Sequence, residues 1–250
     1  MNLQGKVALV TGAGQGVGQG IALALAAQGA QVAVSGRTLA KLEATAEQIR
    51  GRGGEALAVV CEVKSPDSLQ ACVDAVIDRW GALNILVNNA QEVPLGRLLE
   101  VTDEAVTAGW ESGPMATLRL MKLCYPHLKG DGVIINLGSS AAKRWDMAGY
   151  GVYAGIKEAI RSLTRAAACE WGPDNIRCNA ILPHALSPAL EWWLQRDPAE
   201  AEAFFAQIPQ RRIGDCEQDI GRFVALLCSE GAGYVNGQSI ALDGGQAFLG

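Results

Sequence analysis

Short apolar runs rich in β-branched residues alternate along the chain with longer segments whose apolar positions recur at helical spacing. The short runs predict seven strands, at residues 6–11, 31–35, 56–61, 84–89, 132–138, 176–182 and 238–242. The longer segments predict six helices, at Val17–Gln28, Leu39–Arg50, Asp67–Trp80, Asp103–Tyr125, Tyr150–Glu170 and Cys216–Cys228. Strands that are apolar on both faces and separated by helices are typical of a parallel sheet. The pattern therefore predicts an α/β fold, a single doubly wound Rossmann-type domain over residues 1–250 with a seven-stranded parallel sheet.

One segment, residues 187–213, interrupts this alternation and carries prolines near both ends. We expect a helical insertion there. In open α/β sheets ligands bind outside the carboxyl ends of the strands, and the insertion is expected to cover a substrate at that edge. No linker, repeat or low-complexity tract divides the rest of the chain.

Charge and composition limit the classes of binding partner that we expect for this chain. The 21 Lys and Arg against 26 Asp and Glu give a net charge of −5 without a basic run, so neither nucleic acid nor an anionic membrane is expected as a partner. No secretion signal or long apolar run is visible, which favours a cytoplasmic protein. The seven cysteines lack CxxC spacing and are expected to be reduced, buried thiols and not metal ligands.

The first predicted strand runs into the sequence TGAGQGVGQG, which places Gly12, Gly16 and Gly18 before a helix. Glycines at such a turn let the backbone approach a pyrophosphate, whose charge lies against the free N–H groups of the helix start. The loop therefore predicts a nucleotide site, with a purely structural glycine turn as the alternative.

Tyr153 precedes Lys157 by four residues in the predicted helix 150–170. Side chains at positions i and i+4 share a helix face, so the phenol and the ammonium are expected to lie side by side. A nearby cation favours the phenolate and lowers the pKa of a tyrosine from about 10. The pair predicts a general acid/base, Tyr153, tuned by Lys157, with a serine hydroxyl bonded to the same substrate oxygen.

These motifs, together with Asn88-Asn89-Ala90 and the ending GYVNGQSIALDGG, resemble the short-chain dehydrogenase/reductase family, and most closely its 3-oxoacyl-[acyl-carrier-protein] reductase-like branch. The resemblance covers essentially the whole chain. It implies an NAD- or NADP-dependent oxidoreductase that interconverts a ketone and a secondary alcohol by hydride transfer. It also implies a homodimer or homotetramer, assembled through the helices at 103–125 and 150–170.

The resemblance places a set of residues at the cofactor: Gly12, Gln15, Gly16, Val17, Gly18, Arg37, Glu62, Val63, Asn89, Ala90, Tyr153, Lys157 and Pro183. NAD is favoured by a carboxylate at the end of the second strand and NADP by an arginine. The chain has Gly36 and Arg37 there, which favours NADP(H) over NAD(H). Gln15 argues against this preference, because many NADP-binding relatives carry a basic residue at its position.

At the substrate, the resemblance implies Ser139, Tyr153 and Lys157 as the catalytic residues. The family's usual spacing from serine to tyrosine leaves Ser140 as an alternative to Ser139. Trp145, in the loop before Tyr153, and His184, where glycine is usual, are further candidates for contact with the substrate. A packed or solvent-facing side chain is the alternative for His184.

Two positions depart from the family pattern in ways that bear on proton transfer. Gly113 stands where relatives have an asparagine that completes a proton relay to the lysine, and Gln91 follows Asn-Asn-Ala where glycine is usual. Pro114 should kink the helix. The hypothesis is that a carbonyl freed near Trp110 or Glu111 holds the relay water; a weakened relay and a slow enzyme are the alternative.

Two other functions remain open from the sequence. One is a nucleotide-binding sensor or scaffold of the same fold without catalysis, which the missing asparagine favours. The other is a reductase of carbon–carbon double bonds or a dehydratase-type relative. The sensor is expected to bind the cofactor without turning it over.

Overall fold

The computed structural model describes residues 2–144, 149–196 and 198–247. Its strands are β1 (Val7–Thr11), β2 (Gln31–Gly36), β3 (Ala56–Val60), β4 (Ile85–Asn88), β5 (Gly132–Leu137), β6 (Ile176–Pro183) and β7 (Ser239–Leu242). They form one parallel sheet in the order β3-β2-β1-β4-β5-β6-β7. The prediction of a seven-stranded, doubly wound sheet is confirmed.

Helices cover both faces of this sheet. They are α1 (Gly16–Ala27), α2 (Leu39–Gly51), α3 (Pro66–Trp80), α4 (Asp103–Trp110), α5 (Ala116–Leu128), α6 (Gly151–Trp171), α7 (Pro188–Arg196), α8 (Pro198–Gln207) and α9 (Arg222–Cys228). None of the helices within the described ranges is long and apolar enough to cross a membrane.

The alternation of side chains along β1 shows how the two layers form. Ala8 and Val10 belong to the apolar core that includes residues of α1, α2 and α9, whereas Val7 and Leu9 belong to the core that includes residues of α3, α5 and α6. Successive residues of a strand point to opposite faces, so a strand buried on both sides needs an unbroken apolar run. This is why VALVT carries no polar residue before Thr11.

The strand order also fixes where a ligand can bind. β1 pairs with β2 on one side and with β4 on the other. The connections therefore diverge at this point, and the loops after β1 and β4 leave a crevice between them. The glycine loop follows β1 and the Asn88-Asn89-Ala90 segment follows β4, so both border the crevice.

The predicted helix 103–125 is interrupted. A π-helical turn, Glu111–Met115, separates α4 from α5 and contains Pro114. Proline cannot donate a backbone hydrogen bond, and a π turn accommodates the missing bond with i→i+5 pairing. The Ala116 N–H donates to the Glu111 carbonyl, so the proline does not free this carbonyl; a relay water on the Trp110 carbonyl stays a hypothesis.

The segment 187–213 contains α7 and α8, in line with a helical insertion. Ser187 and Pro188 border the crevice at β1, and Phe204 of α8 stacks edge-on against His184, with ring centroids 5.3 Å apart. The insertion thus contacts the residues that follow β6.

Candidate active site

The glycine loop after β1 adopts a backbone that other residues rarely take. Gly12 has φ 64° and Gly16 has φ 58°, both in the left-handed region. Asn89 holds the loop from the far side of the crevice, because its side-chain amide donates to the Thr11 carbonyl at 2.9 Å and to the Gly12 carbonyl at 3.2 Å. The Thr11 hydroxyl in turn accepts from the N–H groups of Asn89 and Ala90.

Gly18 is required by close packing. A Cβ at this position would lie 2.4 Å from both the Asn89 Nδ2 atom and the Gly12 carbonyl oxygen. Such distances are far below van der Waals contact, so a side chain would force the loop and Asn89 apart. The three glycines therefore keep a concave backbone surface at the helix start, which fits the pyrophosphate of a dinucleotide.

We expect Gly18→Ala to destabilise the protein by about 1–3 kcal/mol through overpacking, and to weaken NADPH binding strongly because the loop is displaced. Thermal unfolding and a fluorescence titration with NADPH measure the two effects. Gly51→Ala is the matched control, since a Cβ there meets nothing within 4 Å. An alanine at Gly18 that leaves both Tm and NADPH affinity as in Gly51→Ala would contradict the packing argument.

A cleft of about 450 Å³ lies above the carboxyl ends of β1 to β4. Its walls include ten residues that the sequence predicted for the cofactor: Gly12, Gln15, Gly16, Val17, Gly18, Arg37, Glu62, Val63, Asn89 and Ala90. They also include residues that the sequence reasoning did not assign to it: Lys41, Gln91, Glu92 and Ser112. The spacing of Arg37 and Lys41 at the start of a helix was a signal for Lys41; none pointed to Ser112.

Two cations lie at the rim beyond β2. The Arg37 side chain is 66% exposed, and its Nη1 atom lies 3.4 Å from the Glu92 carboxylate and 3.9 Å from that of Glu62. Lys41 reaches over the glycine loop and donates to the Gln15 side-chain carbonyl at 2.6 Å. The Lys64 ammonium also pairs with Glu92, at 2.8 Å, so three cations surround the two carboxylates. No carboxylate stands at the tip of β2 itself, which is Gly36.

The predicted acid/base pair lies at the end of β5, next to β4. Ser139 follows this strand, and its hydroxyl oxygen accepts from the Ala141 N–H at 3.2 Å. Tyr153, half-buried near the start of α6, shares a hydrogen bond with Ser139. The structure thus joins Ser139 to Tyr153, whereas Ser140 begins the short helical turn Ser140–Lys143.

The pKa of Tyr153 departs from the expected direction. Burial raises the pKa of the phenol above its ordinary value, the bond with Ser139 lowers it, and Tyr150 raises it. The Lys157 ammonium lies 5.6 Å from the ring centroid and donates instead to the Leu137 carbonyl at 2.6 Å. The prediction of a lowered pKa is therefore wrong for the chain alone, because burial outweighs the lowering by Ser139.

Lys157 itself is buried, with 4% of its surface exposed. Desolvation lowers the pKa of its ammonium from 10.5 to about 7. Near neutral pH the lysine is therefore only partly charged. A buried amine close to its pKa exchanges protons readily, which suits a group that passes protons to and from a neighbour.

A buried polar network anchors α6 to the sheet. The Asn88 amide of β4 donates to the Asn136 side-chain carbonyl of β5 at 2.8 Å, and the Asn136 amide donates to the Thr164 hydroxyl of α6 at 2.9 Å. Fully buried polar groups of this kind fix a single arrangement of the elements that carry them. The network thereby sets the position of Tyr153 and Lys157 relative to the end of β5.

His184 follows Pro183, the last residue of β6, and borders a second cleft of about 380 Å³ together with Asp243 and Arg212. Its Nδ1 atom is buried and has no hydrogen-bond partner. Burial lowers the pKa of its imidazole, while Asp243 opposes and Arg144 reinforces that shift. A neutral histidine with an unsatisfied nitrogen can bond a polar group of a ligand.

The remaining predicted residues are placed as follows. Trp145 lies outside the described residues. Within those ranges, Tyr153, Lys157 and Pro183 are not part of the wall of the 450 Å³ cleft. In the same ranges, no group of three or more His, Cys, Asp or Glu side chains is placed to hold a metal ion.

Comparison with known proteins is consistent with this geometry. A family model described as Enoyl-(Acyl carrier protein) reductase matches residues 12–247. A 12alpha-hydroxysteroid dehydrogenase from Clostridium sp. is 38% identical and the match covers 96% of each chain. Versicolorin reductase stcU from Emericella nidulans is 30% identical, covering 97% of this chain and 96% of its own.

Among solved structures, a short-chain dehydrogenase from Burkholderia cenocepacia in complex with NADP superposes with a TM-score of 0.91. It is 31% identical, and the match covers 98% of this chain and 99% of that chain. The likeness therefore extends over both the sheet and the helices that carry the candidate site.

Proposed function

We propose that this chain, which belongs to the short-chain dehydrogenase/reductase family and is an oxidoreductase acting on CH–OH groups, prefers NADP(H) over NAD(H). We further propose a 12-hydroxysteroid, or a ketone of similar polycyclic shape, as its substrate. The observation that carries the catalytic assignment is the hydrogen bond between Ser139 and Tyr153, beside the buried Lys157 at the end of β5.

The residues of the cleft fit a dinucleotide, because the glycines let the loop pack closely against Asn89 and leave exposed backbone at the start of α1. Gly12, Gly16 and Gly18 would hold the pyrophosphate, Asn89 and Ala90 would border the nicotinamide half, and Glu62 and Val63 the adenine. When bound, the reduced cofactor supplies the hydride that reduces the carbonyl carbon.

Proton transfer is the task of the chain itself. Because burial raises its pKa, the Tyr153 phenol is protonated near neutral pH and can donate to the oxygen of a ketone as that oxygen becomes an alkoxide. The Ser139 hydroxyl, which bonds Tyr153 in the free protein, can turn to donate to the same substrate oxygen once a ketone is bound. Lys157 returns a proton to the phenolate that remains.

Preference for NADP(H) rests on the charges at the rim. A 2′-phosphate needs a cation and is repelled by a carboxylate, and β2 ends in Gly36 followed by Arg37. Lys41 adds a second ammonium above the glycine loop, where its partner Gln15 can be exchanged for phosphate oxygens. The NADP complex of the Burkholderia relative supports this reading.

We expect Arg37→Ala to raise the Kd of NADPH about 10- to 100-fold, because hydrogen bonds to charged groups contribute about 1.5–3 kcal/mol. The Kd of NADH should change little, since NADH has no 2′-phosphate. Fluorescence titration measures both constants. Arg50→Ala, in the last turn of α2, is the control. An equal loss of affinity for the two cofactors would show that Arg37 does not select NADP.

The proposed substrate class rests on two observations. The relative with 38% identity is named for 12alpha-hydroxysteroid oxidation. Near the end of β6, His184 offers an unpartnered nitrogen next to the apolar ring of Phe204. A polycyclic alcohol offers apolar surface for the ring and polar groups for the imidazole. The helices α7 and α8 would cover it.

A cofactor assay tests this function. The protein is incubated with NADPH or NADH and a panel that includes a 12-oxosteroid, smaller ketones and an enoyl thioester, and products are identified by mass spectrometry. We expect alcohol formation from the 12-oxosteroid, faster with NADPH. Reduction of the enoyl thioester alone would instead identify a double-bond reductase, the second candidate, which the description of the matching family model favours. Tight NADPH binding without any turnover would identify a sensor.

A further inference from the structure

The side-chain amide of Gln91 lies at the border of the cofactor cleft and is unsatisfied. Its Nε2 and Oε1 atoms are buried, and neither has a hydrogen-bond partner. The next residue is held in place, because the Glu92 N–H donates to the Ser112 hydroxyl at 2.9 Å. A primary amide buried without partners is costly, so such a group normally bonds an ordered water or serves a functional role.

The amide occupies space that Gly113 leaves open. A Cβ at Gly113 would lie 3.0 Å from both Cδ and Nε2 of Gln91, and 3.1 Å from Cγ2 of Ile156. The Gln91 side chain and a side chain at position 113 would therefore compete for the same space, which glycine at 113 leaves to Gln91. A side chain at Gly113 would therefore stand between the Gln91 amide and Ile156 of α6, the residue before Lys157 in the chain.

Lys157 needs hydrogen-bond acceptors in this region. An ammonium has three donors, and among the described residues the Leu137 carbonyl is the acceptor that the buried Nζ atom reaches. The unsatisfied amide of Gln91 offers an acceptor and a donor. One ordered water between them would satisfy both groups, because a water can make about three hydrogen bonds.

We propose that Gln91 is a positioning residue that holds a water on the path by which Lys157 regains protons from the solvent in the cofactor cleft. The proposal rests on the proposed function, in which Tyr153 gives its proton to the substrate alkoxide. Lys157 then reprotonates the phenolate, and a proton from bulk water replaces the one that the lysine gave. No electrons move in these steps, and each proton lost at one group is gained at the next.

Gln91→Leu tests the role, because leucine has a similar volume and no polar atoms. We expect kcat for ketone reduction to fall about 10- to 100-fold, less than the 10²–10⁴-fold that removal of the acid/base group itself causes. With NADPH at saturating concentration, the pH dependence of kcat should shift, while the KM of the ketone stays near wild type. Gln70→Leu, at an exposed position of α3, is the control.

Thermal stability separates this role from simple packing. Because leucine fills about the same space as glutamine and brings no polar group that needs a partner, the Tm of Gln91→Leu should stay near that of wild type. A Tm that falls together with kcat, at an unchanged pH profile, would mean that Gln91 only fills space. Unchanged kcat would also overturn the proposal.

A double variant transfers the side-chain amide from position 91 to position 113. Gly113→Asn alone should lower kcat, because its side chain collides with Gln91, and Gln91→Gly alone should lower it by removing the amide. The kcat of the double variant Gln91→Gly/Gly113→Asn should be well above the value expected if the two single reductions in kcat were independent and multiplied. A double variant no better than that value would contradict a positional role of the amide.

A high-resolution crystal structure decides the question without any substrate. We expect a water bonded to the Gln91 amide and to Lys157 Nζ in the wild type, and its loss in Gln91→Leu. A Gln91 amide bonded to protein only, or a dry cavity, would overturn the proposal even in an active enzyme. Absence of ketone reduction alongside that water would refute the proposed function alone.

Discussion

Replacing Tyr153 by phenylalanine is expected to lower kcat for ketone reduction about 10²–10⁴-fold, the range that a positioned acid/base group contributes. The change removes one oxygen, the atom that shares a hydrogen bond with Ser139. The glycine loop and the rim cations are untouched, so NADPH should bind as it does to the wild type. Steady-state rates and a fluorescence titration with NADPH measure the two quantities.

The raised pKa of Tyr153 also predicts how the rates of reduction and oxidation depend on pH. Because burial raises the pKa of Tyr153, the donating phenol persists to high pH, and reduction should decline only when the pH passes the raised value. Oxidation of the alcohol needs the phenolate and should therefore accelerate with rising pH. Tyr234→Phe, at an exposed tyrosine, serves as a control. A Tyr153→Phe variant that retains wild-type kcat would refute the assignment.

Replacing Lys157 by methionine is expected to abolish most of the activity and to stabilise the fold. Desolvation lowers the pKa of the buried ammonium from 10.5 to about 7, and each pKa unit corresponds to about 1.4 kcal/mol. The lost bond to the Leu137 carbonyl offsets part of the gain. We expect a net stabilisation of about 1–3 kcal/mol, with Tm rising roughly 2–4 °C for each kcal/mol.

This stabilisation should depend on pH. The folded pKa of Lys157 lies below the unfolded value, so the unfolded chain binds more protons between pH 7 and 10.5 and wild-type stability rises with pH across that window. Below about pH 7 the folded wild type bears the full penalty. The stabilisation of Lys157→Met relative to wild type should therefore be largest near about pH 6 and smallest near about pH 10.

Thermal unfolding of the cofactor-free protein at several pH values measures this trend, with Lys122→Met on the exposed side of α5 as the control. A Lys157→Met variant that unfolds below wild type at pH values under 7 would contradict it. A variant with higher stability and intact activity would show that Lys157 has no part in proton transfer.

The strands and most helices could be predicted because each depends on a local pattern. A run such as VALVT, apolar on both faces, is compatible with few structures other than a buried strand. The break between α4 and α5 was only partly predictable. Pro114 indicated a disturbed helix, but whether a kink, a free carbonyl or a π turn results depends on tertiary packing at Ser112 and Gly113.

The site was predictable where function requires a residue type at a fixed spacing. The glycine loop and the Tyr153–Lys157 pair follow such rules. The direction of the pKa shift of Tyr153 was not predictable, because it depends on how deeply α6 is buried against the sheet. The relation between Gln91 and Gly113 joins positions 22 residues apart in the sequence, and only the folded packing shows that one side chain fills the space of the other.

A crystal structure of the protein with NADP⁺ and a 12-hydroxysteroid is the decisive test of the catalytic assignment. We expect the Tyr153 Oη and Ser139 Oγ atoms both to lie within about 2.6–3.2 Å of the reacting hydroxyl oxygen of the steroid. A steroid whose reacting hydroxyl contacts neither atom, with the Tyr153 hydroxyl turned into the interior, would contradict it.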